Sequence, residues 1–364
     1  MKKMFLFVIS IVIINSCSIK NFDTVDQIIT SAISEHIFPG AVLLVGTADD
    51  IIYEKAYGHF TYADDAQTVT TNSIFDMASL TKVFATSMCM MKCIDSGLVD
   101  PEAPVIDYLP EFNNQGKKVI KVKHLLMHNS GLPAYTKAGK SRRETLNKIM
   151  NIEMTQSPET YKYSCLNFIT LMRVVESVTG KMMWKFYREI YTDPMGLDRT
   201  MFSPPENLQT ECLPTIGDSS GTHVILQGKV HDPLALSLEG YSGNAGLFST
   251  APELAAFCQL ILNDGIYNNK PYIREETLIP FTTLQSGTRT YGWGVNNYKS
   301  SAGISMSETA IGHTGYTGTC VWIDREKDIF IIFLTNRVFP MDKKSVTPVR
   351  KAVNDAVVET VLRK

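Results

Sequence analysis

No sign of charge predominates in this chain. It has 35 Lys and Arg against 37 Asp and Glu, a net charge of −2, and no basic block. There is thus no electrostatic argument for a nucleic-acid partner. The seven cysteines include no C-x-x-C pair, the spacing of many zinc and redox sites. Cys89 and Cys93 lie four apart in an apolar stretch, and most cysteines are expected to be small buried hydrophobes. His124 and His128 also stand four apart, in HLLMHNSG, but no Glu follows His124. The H-E-x-x-H zinc pattern is therefore absent, and both histidines are expected to be packed or hydrogen-bonded. Asp95 and Glu102 show no pairing of the kind a glycosidase needs. No internal repeat or low-complexity linker interrupts the chain. Neither a metal nor a cofactor is expected.

What is present is an ordinary globular composition, 364 residues with 44% hydrophobic, enough to bury a large core. The N-terminus differs from the rest. Lys2 and Lys3 precede an apolar run from Met4 to Ile14, then Asn15-Ser16-Cys17. The run is too short to span a bilayer comfortably and has the order of a secretory signal. The cysteine after a small residue resembles a bacterial lipobox. This implies cleavage before Cys17, lipid on Cys17, and an exported lipoprotein on the periplasmic face or outer membrane. A plain signal peptide and an uncleaved anchor are the alternatives. Residues 1–16 read as the signal and 17–364 as the working domain.

Beyond Cys17, FDTVDQIITSAISEHI has apolar residues at helical spacing, from Val25 to Ile33. PGAVLLVG and IIYEKAYG flank the polar Thr47–Asp50, a hairpin signal. The far end mirrors this: YGWGV, TCVWID and IFIIFLTNR read as strands and the terminal TPVRKAVNDAVVETVLRK as a helix. In that helix Thr347 suits the N-cap and Pro348 the first helical position. Between them helical patterns alternate with long loops. The expected architecture is α/β: one sheet from both chain ends (about 22–70 and 286–364) flanked by the terminal helices, with a mostly helical region (about 71–285) inserted.

Ser79 is the only serine with a lysine three positions on, in DMASLTKVFATSM. A helix beginning at Ser79 would put both on one face, about 5–6 Å apart at Cβ. A partly desolvated Lys82 with a lowered pKa could then take the serine proton. A solvated lysine beside a capping serine is the bland alternative. Tyr163 stands just before an amphipathic helix in YKYSCLNF, and His313-Thr314-Gly315 ends a predicted strand where glycine admits a ligand closely.

In this order these segments resemble the serine β-lactamase and penicillin-binding-protein superfamily, in its class C-like branch. FPGAVLLVG is similar to the family's first strand, FDMASLTKVFAT to its S-x-x-K helix, VKHLLMHNSGLP to a connecting segment, YKYSCLNF to its Y-x-N region. GHTGYTGTCVWID is similar to its K-T-G strand, with His in the Lys place. The resemblance implies a β-lactamase/transpeptidase-like fold with an antiparallel sheet. It also implies Ser79 as acylated nucleophile, Lys82 as its base partner, Tyr163 as proton shuttle, and His313 as an orienting group. The oxyanion would be held by the N–H groups of Ser79 and Tyr316, with Thr314 and Gly315 beside the substrate. Which of Lys82 and Tyr163 is the base in acylation stays open.

The chain departs from the family at Cys165, where relatives offer an amide to substrate; a thiol is a poor replacement. VHDPLA and AGLFSTAPELA resemble segments of cell-wall-fragment amidases and a carboxypeptidase group, but Asn244 stands where a His is expected. His231 and Asn244 are candidates for substrate contact or for loop shape alone. The implied function is an exported serine acyl hydrolase of muropeptides, N-acetylmuramoyl-L-alanine amidase-like. A D-alanyl-D-alanine carboxypeptidase, an esterase or β-lactamase on the same scaffold, and a non-catalytic penicillin-binding-like protein are the alternatives.

Overall fold

Strand β1 (Gly40–Gly46) has the sequence GAVLLVG, and every residue of it is buried. A strand buried along its whole length belongs to the centre of a sheet covered on both faces. The computed structural model, which describes residues 20–219, 222–341 and 344–363, places it there. The signal segment and Cys17 lie outside the described residues. Strand β2 (Ile51–Gly58) follows through the Thr47–Asp50 turn. Strands β3 (Gly294–Val295), β4 (Ile311–Thr314), β5 (Cys320–Asp324) and β6 (Ile329–Thr335) come from the other chain end. The order across this six-stranded sheet is β3-β4-β5-β6-β1-β2, and every neighbouring pair is antiparallel.

Alternation divides the buried residues of β1 and β6 between two layers. Ala41, Leu43 and Val45, with Ile331 and Phe333, pack on Val25 and Ile29 of helix α1 (Asp23–Ser34) and on Val353 and Val357 of the C-terminal helix (Thr347–Leu362). Val42, Leu44, Ile332 and Leu334 face the other way, into the large core of the helical region. That core is built around helices α2 (Ser87–Asp95), α3 (Cys165–Thr179) and α4 (Ala251–Leu262); the C-terminal helix is α5. Thr347 is the first residue of α5 and Val346 its N-cap, one position earlier than the sequence suggests, within ordinary end variation.

Two local features differ from expectation. The segment entering α2 is not regular α-helix: a 3₁₀ turn, Ala78–Leu80, leads into a π-helical stretch, Lys82–Thr86. Wide turns of this kind concentrate at functional sites. A small sheet joins Phe75–Asp76 to Leu247–Ser249 and Met201–Phe202. It anchors the chain just before Ser79.

Candidate active site

The residue before Ser79 is strained. Ala78 has φ +45°, a left-handed conformation that non-glycine residues seldom adopt. Its N–H donates to Asp76 Oδ1 at 2.8 Å, while Asp76 Oδ2 accepts from the His231 N–H at 2.7 Å. Asp76 is buried, and that burial pushes its carboxyl up from the ordinary value. The carboxylate thus ties the pre-serine turn to the 231 loop, 155 residues away.

Lys82 is fully buried and its three donors are accounted for. Nζ donates to Ser79 Oγ at 3.0 Å, to the Asn244 carbonyl at 2.8 Å and to Cys165 Sγ at 3.7 Å. Burial disfavours the ammonium, but interaction with Cys165 and Tyr163 outweighs it and holds Lys82 above the ordinary lysine value. This corrects the expectation of a lowered lysine.

Tyr163 lies over this pair, its ring centroid 5.2 Å from Lys82 Nζ. His313, on β4, is 6.0 Å from Tyr163 between ring centroids. Its Nδ1 approaches the Thr314 carbonyl at 3.0 Å, so Nδ1 carries the proton of a neutral ring. Burial, then the Arg289 and Lys82 cations, push His313 well below the usual histidine range. The turn after β4 packs against the Ser79 turn: a Cβ at Gly315 would lie 2.6 Å from the Met77 carbonyl and 2.0 Å from Thr319 Oγ1. Only glycine fits there.

Ser79, Tyr163, His313, Thr314, Gly315 and Tyr316 line one cleft of about 650 Å³. The structure does not bring every sequence candidate to its wall. Asn244 is fully buried behind it. Its side chain donates to Asp232 and accepts from Ser242, and it reaches Lys82 through its backbone carbonyl. His231 stacks on Tyr316, ring centroids 5.6 Å apart, and is not among the lining residues. Cys165, half-buried at the start of α3, touches Lys82. The other described cysteines, like Cys165, are free thiols, and all of them are buried.

The cleft also holds basic residues that sequence reasoning did not assign to a site. Arg289, Lys299, Arg337 and Arg350 line it, with no Asp or Glu among the described residues that line it. Arg289 donates to the Tyr161 hydroxyl at 2.5 Å. Arg350 of α5 donates to the Gly315 and Thr319 carbonyls at 3.0 and 2.9 Å, clamping the turn that carries Tyr316. No spacing rule links these residues to Ser79. Only the register of β3 on β4, Gly294 opposite Gly312, brings the 288–301 segment beside it.

Such an arrangement can attack a carbonyl from a hydroxyl oxygen, hold the resulting charge with nearby donors and move a proton through a lysine–tyrosine pair. Three comparisons bear on it. The family model described as Beta-lactamase matches residues 25–355. An N-acetylmuramyl-L-alanine amidase of Bacillus subtilis (strain 168) is 33% identical, covering 88% of this chain and 82% of that protein. A protein of Escherichia coli (strain K12), provisionally named D-alanyl-D-alanine carboxypeptidase, is 30% identical over 82% of this chain and 79% of its own. Among solved structures, a penicillin-binding protein homolog from Caulobacter crescentus superposes with TM-score 0.76 at 16% identity. That match covers 93% of this chain and 97% of the other, and shows a common fold.

Proposed function

The chain belongs to the β-lactamase family, and on that premise we propose that it is an envelope serine hydrolase that cleaves the amide between N-acetylmuramic acid and L-alanine in peptidoglycan fragments. The observation that carries the reading is the Lys82–Ser79 hydrogen bond at 3.0 Å, made by a lysine buried beneath the cleft floor. Ser79 Oγ attacks the lactyl carbonyl after the Lys82–Tyr163 pair has released one proton to solvent, and the pair so deprotonated takes the serine proton. The N–H groups of Ser79 and Tyr316 hold the oxyanion. The C–N bond breaks, the amine of the peptide leaves with a proton from the same pair, and water then cleaves the ester on Ser79. His313 and Thr314 orient the tyrosine and the substrate. The B. subtilis amidase supports the choice of bond. The E. coli relative supports a second reading, removal of the terminal D-alanine.

The test is mass spectrometry of products from one defined muropeptide ending in D-Ala-D-Ala. Release of amino sugar and intact peptide is expected, with Ser79→Ala inert. Loss of a single alanine would establish the carboxypeptidase, and undiminished turnover by Ser79→Ala would end the whole mechanism. The order of residues Met1–Cys17 supports export and lipid on Cys17; protein isolated from membranes then carries an acylated Cys17 in its intact mass.

A further inference from the structure

His128 brackets Tyr163. Its carbonyl accepts from the Lys162 N–H at 2.8 Å, and its Nδ1 accepts from the Ser164 N–H at 3.1 Å. These are the two residues on either side of Tyr163. The imidazole also covers the phenol, ring centroids 4.4 Å apart, and is backed by Phe168 of α3 at 5.0 Å. His128 is fully buried and left-handed at φ +56°, a conformation in which His, Asn and Asp are enriched over other non-glycine residues. A side chain kept only to fill space would need neither the acceptor nor this backbone.

From this bracket we infer that His128 is a positioning residue for Tyr163, fixing the phenol over Lys82 and so setting the rate of proton transfer. The inference rests on the reading of Tyr163 as the proton shuttle. The charged and titratable groups around His128 are Arg289, Lys82 and His313, with Tyr163 against its face. Burial first, and then those cations, hold the imidazole neutral well below the usual range. With Nδ1 accepting, the proton is on Nε2, which has no hydrogen-bond partner in the described structure. His128 therefore passes no proton itself. It acts through where it holds Tyr163.

The test is His128→Asn, which tolerates the left-handed backbone and keeps an amide oxygen for the Ser164 N–H while removing the aromatic face. A misplacement of about 1 Å is enough to cost about a hundredfold in rate. The expected result is a fall in kcat of roughly 10- to 100-fold with KM changed by less than about threefold. In a Tyr163→Phe background the same substitution is expected to change kcat by less than about twofold, because the group it positions is gone. An equal loss in both backgrounds, or an unchanged kcat, would overturn the inference. His128→Gln supplies the same comparison should the shorter amide not fold. Failure of the underlying reading looks different: Tyr163→Phe alone would then turn over like the wild type.

Discussion

At the scale of single residues, the buried lysines show that burial does not dictate one chemistry. Lys82 is surrounded by acceptors and by two acidic groups, and its pKa is raised. Lys117, buried outside the cleft, has among the described residues only the Met150 carbonyl at 2.5 Å and the face of Phe112 at 4.3 Å. Burial pushes it down to about 8. Its unfolded value is about 10.4, so between those two pH values the unfolded chain holds more protons than the fold. Stability from this residue is accordingly gained as pH rises through that window. Lys117→Met keeps the apolar stem and removes the ammonium. It is expected to melt at or above the wild-type temperature at pH 7 and to lack the rise between about pH 8 and 10. Parallel melting curves for the two proteins across that range would contradict this.

Residues also show where the sequence is readable. Ser79 and Lys82 announce their proximity by spacing alone, because neighbouring helical turns bring positions three apart together. Arg289 and Arg350 announce nothing, since what places them is sheet register and the docking of α5. Asn244 reads in sequence as either a substrate contact or a loop-shaping residue; its side chain is used up by Asp232 and Ser242, and only its carbonyl reaches Lys82.

At the scale of elements, hydrophobic patterning was legible wherever an element is long. β1 and β6 declare themselves as continuous apolar runs, and one sheet from both chain ends follows from them, while its antiparallel order comes only with the family resemblance. The two-residue strands Phe75–Asp76 and Met201–Phe202 are too short for any period to register. The π-helical turn at Lys82–Thr86 is likewise invisible, because the residues are those of a normal helix and only the tertiary setting widens it. The layer division in β1 makes a specific prediction. Leu44 is fully buried toward the helical core, so Leu44→Ala is expected to cost about 2–5 kcal/mol. Urea unfolding with an unchanged m-value and a lower midpoint is the measurement. A midpoint within error of the wild type would mean that this layer does not close the helical region against the sheet.

At the scale of the whole molecule, the site exists only because distant segments converge. The Ser79 turn comes from the helical region, the His313 turn from the sheet, and the α5 clamp from the last element of the chain. Among the described residues no helix is long and apolar enough to cross a membrane. The molecule's overall charge is close to balanced, whereas among the described residues that line its cleft Arg289, Lys299 and Arg350 are basic and none is acidic. A recess walled in this way focuses a field outward and draws anions toward it before any contact is made. A tenfold rise in ionic strength shortens the reach of that field about threefold. If the proposed muropeptide reading holds, capture of wall fragments bearing free carboxylates is expected to slow as salt is added, read as a falling kcat/KM with kcat nearly constant. A neutral ester processed by the same serine should be indifferent to salt. Equal sensitivity of the two would mean that the arginines serve the fold and do not gather substrate.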